Sequence, residues 1–353
     1  MKKLLLALAA STTMTVGAHA QSSVTVYGIV DAGITQTTTD TTTAGVKTSV
    51  KDMSTGNGGA YSSQRLGFRG TEDLGGGLKA NFVYEFGLTD NDGTAADVDS
   101  GTDNASPMTT RIATVGLSGS FGSVDIGRQV TIADKAWGVG DVGGFNNFLG
   151  RAYTSSGKLN NTRSDRLVNY TSPSVAGFTV QAAMGDRNNG AATATTSDQV
   201  TEKGLGVAYS AGALNAMIGY SKEDKTLNGG TVASPEQLVF GANYDLKVAK
   251  AFAIYAQGND RNTANEKIND KKVAEVGVAV PVGKTTLQAS YFDGENKPTT
   301  ATKQDLSGYQ LAALYNFSKR TTAYAVYGSS ETKTNAANKT DVETFGVGLR
   351  HAF

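Results

Sequence analysis

The sequence predicts an all-β protein, a sixteen-stranded antiparallel β-barrel that crosses a membrane. Three observations predict it. Apolar and polar residues alternate along segment after segment, and the joins between those segments alternate between short and long. After the leader, no stretch approaches the roughly 18 to 20 apolar residues that a spanning helix needs.

The leader comes first. Met1, Lys2 and Lys3 give a basic start, Leu4 to Ala10 an apolar run, and Ala18-His19-Ala20 a small-x-small cleavage signal before Gln21. Residues 1–20 therefore read as a signal peptide and 21–353 as one exported barrel domain. Without Lys2 and Lys3, thirty basic groups face thirty-two acidic ones, a formal charge of −2.

The strands follow. Leu66 and Phe68 alternate with Arg65, Gly67 and Arg69, and Leu78, Ala80, Phe82, Tyr84 and Phe86 alternate with Lys79, Asn81, Val83 and Glu85. The pattern recurs at Leu238 to Tyr244, Leu287 to Tyr291, Tyr309 to Tyr315 and Phe345 to Phe353. Sixteen segments qualify: 24–35, 64–72, 78–87, 111–118, 122–129, 166–172, 178–185, 203–210, 214–221, 237–245, 249–257, 272–280, 285–293, 305–316, 321–330 and 343–353. Seven joins are short turns, from Asp73-Leu74-Gly75-Gly76-Gly77 to Phe317-Ser318-Lys319-Arg320. Eight are long and polar: 36–63, 88–110, 130–165, 186–202, 222–236, 258–271, 294–304 and 331–342. With both termini at the short-turn end, this is an even-stranded meander closed on itself, with short periplasmic turns and long extracellular loops.

A secreted β-sandwich or a stack of adhesin modules also alternates. Its dry core, however, would have to pair Arg65, Arg69, Lys79, Asn81 and Glu85, all on the face opposite the apolar rows. Lipid outside and water inside remove that burden.

Composition excludes much chemistry. Thirty-two Lys plus Arg balance thirty-two Asp plus Glu, so no global positive field argues for nucleic acid. There is no Cys, and once His19 leaves with the signal only His351 remains, so neither a catalytic triad nor a zinc site has material and no cofactor is expected. Gly138-Val139-Gly140-Asp141-Val142-Gly143 matches the bare G-x-G-x-x-G form but lacks a strand-to-helix setting. Asp90, Asp92, Asp97, Asp99 and Asp103 have no ordered calcium-loop spacing, and Asn160-Asn161-Thr162 is a formal glycosylation match that decides nothing.

Ser23-Val24-Thr25-Val26-Tyr27-Gly28-Ile29-Val30-Asp31-Ala32-Gly33, the run Ser63 to Ala80, and Val115-Gly116-Leu117 through Phe121 to Gln129 resemble general porins of Gram-negative outer membranes, in particular the beta-proteobacterial type. So does the closing Gly346 to Phe353 with its aromatic terminus. The resemblance covers the whole exported chain. It implies a homotrimer in outer-membrane lipid and lipopolysaccharide, with no nucleic-acid partner. It also implies passive diffusion of ions and small hydrophilic solutes, with the third long loop folded into the lumen.

By the same resemblance, Val130 to Asn160 is the inward loop, carrying Asp134, Lys135, Trp137, Asp141, Arg151 and Lys158. Family members often have a proline where this chain reads Val130-Thr131-Ile132. Arg65, Arg69 and Lys79, with Glu85 opposing them, are the expected pore-wall charges. Arg111 and Arg128 share parity with apolar neighbours and reach water only through a bulge or a strand end. Fixed cations at the narrowest ring would give a mild anion preference. An enzyme would need a site this chain cannot assemble. The alternative is a structural anchor or adhesin barrel with little conductance.

Overall fold

The computed structural model describes residues 23–55, 61–88, 108–143, 162–188, 199–226, 234–262 and 266–353. The predicted signal peptide, the acidic run from Asp90 to Asp103, Arg151, Lys158, Asn160 and Asn161 lie outside the described residues. Nearly all the rest is strand: β1 (Ser23–Thr43), β2 (Val46–Thr55), β3 (Arg65–Gly75), β4 (Leu78–Leu88), β5 (Met108–Gly119), β6 (Gly122–Val130), β7 (Arg163–Thr171), β8 (Phe178–Asn188) and β9 (Gln199–Ala211). The ring continues through β10 (Leu214–Thr226), β11 (Glu236–Asp245), β12 (Lys250–Arg261), β13 (Lys267–Val282), β14 (Thr285–Pro298), β15 (Gln304–Asn316), β16 (Thr321–Asn335) and β17 (Asn338–Ala352). One helix, α1 (Ile132–Gly140), follows β6.

Neighbours pair antiparallel all the way round, and β17 returns to β1 from Ile29↔Ala352 to Thr42↔Lys339. Gly28 and Phe353 exchange two backbone hydrogen bonds of 3.1 Å at the seam. Closure leaves no edge in the wall, the condition for backbone groups to cross lipid. The lower half of β1 pairs with β3 and the upper half with β2, whose register among the described residues is with β1. The wall therefore has sixteen staves, with β2 as an extra strand on the β1 hairpin.

All sixteen predicted segments are staves, and the seven short turns lie where the sequence puts them. The long joins differ. The first, expected at 36–63, contains β2, and the last, expected at 331–342, narrows to a tight hairpin with Asn335 opposite Asn338. Above the lipid belt both faces meet water, so runs such as Thr37-Thr38-Thr39-Asp40-Thr41 lose their period of two while the backbone keeps pairing. Their β-branched threonines favour extended chain.

The outer face carries the predicted apolar rows, exposed on the isolated barrel: Val24, Val26 and Val30 on β1, Phe82 and Tyr84 on β4, Ile218 on β10, Phe240 on β11, Tyr255 on β12, and Phe345 and Val347 on β17. Two aromatic pairs sit at the short-turn end, Phe178–Tyr209 at 4.7 Å and Tyr315–Phe317 at 5.0 Å between ring centroids, and Tyr84–Phe86 at 4.8 Å lies toward the long-loop end, the composition of interfacial girdles. Phe240→Arg, in mid-belt, is expected to destabilise the folded barrel by about 2–4 kcal/mol. The check is the urea midpoint of folding into vesicles.

Candidate functional site: a lumen narrowed by a helix

The inner face departs from a simple polar lining. Met217, Val239, Ile254, Ala256, Val273 and Phe292 point inward from β10 to β14, opposite the exposed rows, and are almost completely buried. What covers them is α1. Its Ile132, Ala133, Ala136 and Trp137 recur at helical spacing on one side and join that cluster. The third long join thus enters the lumen, as the family resemblance implied.

Glycine lets the helix backbone lie against the wall. A Cβ added at Gly219 would stand 2.5 Å from the Ile132 carbonyl oxygen and one at Gly206 2.6 Å from Ile132 Cγ2, and one at Gly241 would overlap the Ala136 carbonyl oxygen. Polar contacts fix the register. The Ala133 amide donates to Ser221 Oγ at 3.2 Å, Asn243 Nδ2 donates to the Val139 carbonyl at 2.8 Å, and Gln288 Nε2 to the Val142 carbonyl at 3.3 Å. Trp137→Ala removes the largest anchor of α1, a loss of about 3–5 kcal/mol by analogy with buried aromatic truncations. Hydrogen exchange is expected to show α1 amides losing protection while the wall strands keep theirs.

The predicted loop residues are mostly covered. Asp134 lies in the first turn, 6% exposed, Trp137 is 2% exposed inside the apolar cluster, and Asp141 is 2% exposed just past the helix, where its Oδ1 accepts from the Gly143 amide at 2.9 Å. Lys135 donates from Nζ to Gln181 Oε1 on β8 at 3.2 Å. Burial holds its ammonium below the usual lysine range, with the Asp125 carboxylate opposing. Arg151 lies outside the described residues.

Facing α1 across the ring stands a wall of cations. β3 is eight staves from β11 in either direction. The register places Arg65, Arg69, Lys79 and Glu85 on the inner rows of β3 and β4. A bulge on β5 sets both Arg111 and Ile112 against Glu85, which turns Arg111 inward despite its parity. Arg111 Nε meets Glu85 Oε1 at 2.7 Å, and the Tyr27 hydroxyl donates to Glu85 Oε2 at 3.1 Å. Arg69 stacks 5.4 Å over the Tyr27 ring.

Arg128 is a correction. It pairs opposite Ala113 in the outer row of Val124 and Ile126, because the β6–β7 irregularity beyond Gly127 puts its extra residue on β7. Its guanidinium is held by Asp165 Oδ1 at 2.5 Å and the Thr110 carbonyl at 2.7 Å, outside the inward rows of Arg65, Arg69 and Lys79.

Two arginines were missed. Arg350, opposite the inward Asp31, lies within electrostatic reach of Arg65, and Arg163, at the start of β7, within reach of Arg111, Glu85 and Asp134. Parity around Leu349 marked Arg350 as inward. Arg163 fell outside the predicted strand. A further strut joins the wall to the helix loop. Asp31 is fully buried, accepting from Tyr324 Oη at 2.5 Å and from the Ser62 amide at 2.7 Å. Tyr61 packs on the Tyr324 ring at 5.6 Å and donates to Gln288 Oε1 at 2.9 Å. Burial pushes the Tyr61 hydroxyl up to about 12.

A closed sixteen-stave barrel with a helix folded against its inner wall is the architecture of a diffusion channel, and the comparisons agree. A family model described as Gram-negative porin matches residues 6–335. The chain belongs to that family. Outer membrane porin protein 32 of Delftia acidovorans is 32% identical, and an outer membrane porin protein of Bordetella pertussis 29% identical, each alignment covering 100% of both chains. Among solved structures, the anion-selective porin from Comamonas acidovorans superposes with a TM-score of 0.67 at 24% identity, over 94% of this chain and 100% of that one. An OmpT of Vibrio cholerae, in a trimer form, gives 0.65 at 20% identity, over 94% and 99%. This porin is therefore a multi-pass β-barrel of the outer membrane that lets ions and small hydrophilic solutes diffuse passively, and its relatives are channels rather than enzymes.

Proposed function

We propose that the pore prefers small anions mildly. The observation that carries this reading is an asymmetry of exposure. The inward cations Arg69 and Lys79 are exposed and Arg65, Arg111 and Arg350 partly so, whereas the inward carboxylates Asp31, Glu85, Glu202, Glu223 and Glu275 are buried, and Asp73, opposite Lys79, with Asp125 and Asp260 stays at least partly open to water. Diffusing ions meet the guanidinium and ammonium charges through water, and the wide lumen leaves most of their hydration intact. The porin from Comamonas acidovorans is an anion-selective one, in keeping with this reading. The test is reversal potential in a planar bilayer under a potassium chloride gradient. A value toward the chloride potential is expected, and one toward potassium would overturn the preference while leaving the porin intact.

Four further assignments belong to the same reading. Residues 1–20 are removed on export and 21–353 form the barrel. The working unit is a homotrimer, seated in lipid and lipopolysaccharide. We infer no catalytic activity, in keeping with relatives that are channels. Arg65, Arg69, Lys79, Glu85 and Arg111 act as wall charges, and α1, with Asp134, Lys135, Trp137 and Asp141, sets the narrowing. Current steps grouped in threes would support the trimer, and no current from folded barrels would favour an anchor or adhesin.

A further inference from the structure

Inside the ring, α1 leaves part of the wall to another segment. On β16, Tyr324 and Val326 face the lumen while Ala323, Ala325 and Tyr327 face out, so this stave is apolar on both faces. Beside it on β15, Ala312 and Leu314 also face inward. Leu314, Tyr324 and Val326 are buried together as a second apolar cluster, separate from the one under α1. What packs over this cluster is Tyr61, at the end of the first long join and just ahead of β3.

The segment is pinned on two sides. Asp31 on β1 accepts the Ser62 amide at 2.7 Å on one carboxylate oxygen and the Tyr324 hydroxyl at 2.5 Å on the other. A Cβ at Gly348 on β17 would overlap that hydroxyl, so the glycine gives the Tyr324 ring its room. A buried carboxylate out of water depends on such donors, which makes Asp31 a firm anchor. On the other side the Tyr61 hydroxyl donates to Gln288 Oε1 at 2.9 Å, and the same amide donates from Nε2 to the Val142 carbonyl at 3.3 Å. Gln288 thus ties Tyr61 to the chain just beyond α1.

Ring order fixes what this segment closes. β15, β16, β17 and β1 run between β14, which carries Gln288, and β3, where Arg65 and Arg69 stand. α1 packs against β8 to β12, and Val142 carries its trailing chain on to β13 and β14. Tyr61 fills the sector left over, within electrostatic reach of Arg350 on one side and Asp141 on the other.

We infer that the narrowing has two arms, α1 from the third long join and Tyr61 with Ser62 from the first, and that the Tyr61 ring is a size-determining residue of the channel. Solutes pass between α1 and the cationic wall, and the ring denies them the path along β15 and β16. A neutral ring contributes width rather than field, so the inference does not rest on the anion preference.

The test is liposome swelling with neutral sugars of graded size. Tyr61→Ala is expected to raise the rate for raffinose relative to arabinose about threefold, since selection by size follows pore diameter. Its reversal potential and α1 amide protection should match those of the unmodified protein. Tyr61→Phe keeps the ring on Tyr324 and is expected to restore most of the original ratio. The chain has no cysteine, so Tyr61→Cys offers a single thiol, and a bulky thiol reagent added to the channel should lower its current. An unchanged sugar ratio in Tyr61→Ala, the same ratio in Tyr61→Phe as in Tyr61→Ala, or a Tyr61→Cys channel that resists the reagent or conducts equally once labelled would overturn the inference. So would loss of α1 protection in Tyr61→Ala, which would mean that Tyr61 acts only by holding the helix.

Discussion

Gly241→Ala is expected to raise single-channel conductance while leaving the sixteen-stave barrel folded. The argument is one of contact. The added Cβ would overlap the Ala136 carbonyl oxygen, a backbone atom that cannot rotate away, and would crowd the Gly140 amide. Overpacking of this kind costs about 1–3 kcal/mol where neighbours can shift. The wall strand is held by two ladders, to β10 and β12, whereas α1 is held by its apolar face and a few side-chain hydrogen bonds. The helix is therefore the part that yields. Lifting it from the glycine slot loosens the narrowing, and the current through it should rise and become noisier. Unchanged conductance together with unchanged α1 amide protection would show that the wall absorbs the methyl group. The same substitution at Gly219 should act in the same direction, since its Cβ would meet the Ile132 carbonyl oxygen at 2.5 Å.

The slot also shows where sequence reasoning stops. The staves were legible because lipid on one side and water on the other impose a period of two, and the turns because Gly75-Gly76-Gly77 and Ala211-Gly212-Ala213 break it. The register then followed from parity, which placed Arg65, Arg69, Lys79 and Glu85 inward. Where α1 leans on the wall, the inner face is apolar too. In β12, Phe252, Ile254 and Ala256 face inward and Ala251, Ala253 and Tyr255 outward, so both faces are apolar and alternation carries no signal. A strand apolar on both faces inside a barrel is itself the trace of a buried inner partner, and Gly206, Gly219 and Gly241 on those strands are the second trace. Arg111 and Arg128 had equal claims from parity. Only the position of the extra residue, on β5 opposite Glu85 in one case and on β7 in the other, separates them, and no local sequence rule fixes which strand of a pair bulges.

Removing the Glu85 charge should move the reversal potential further toward chloride, and removing Arg65 should move it back by a similar amount. Glu85 is the buried carboxylate at the centre of the cationic wall, in contact with Arg111 and Tyr27 and within reach of Arg65. Glu85→Gln keeps the shape and an acceptor for the Tyr27 hydroxyl, and leaves the cluster one unit more positive. One unit charge about 8 Å from a passing ion in water is worth about 0.5 kcal/mol, attractive for an anion and repulsive for a cation, so the anion-to-cation permeability ratio should change by roughly fivefold. Arg65→Gln gives the opposite sign. The double variant Glu85→Gln/Arg111→Gln restores the local charge and should return close to the starting ratio, and its departure from additivity measures how strongly the pair is coupled. Screening supplies the control. At 1 M salt the Debye length is about 3 Å, so each shift should shrink markedly from its value at 0.1 M if it acts through charge. Shifts that persist at 1 M would mean that these substitutions reshape the narrowing rather than its field, and the anion preference would then have to arise elsewhere along the lumen.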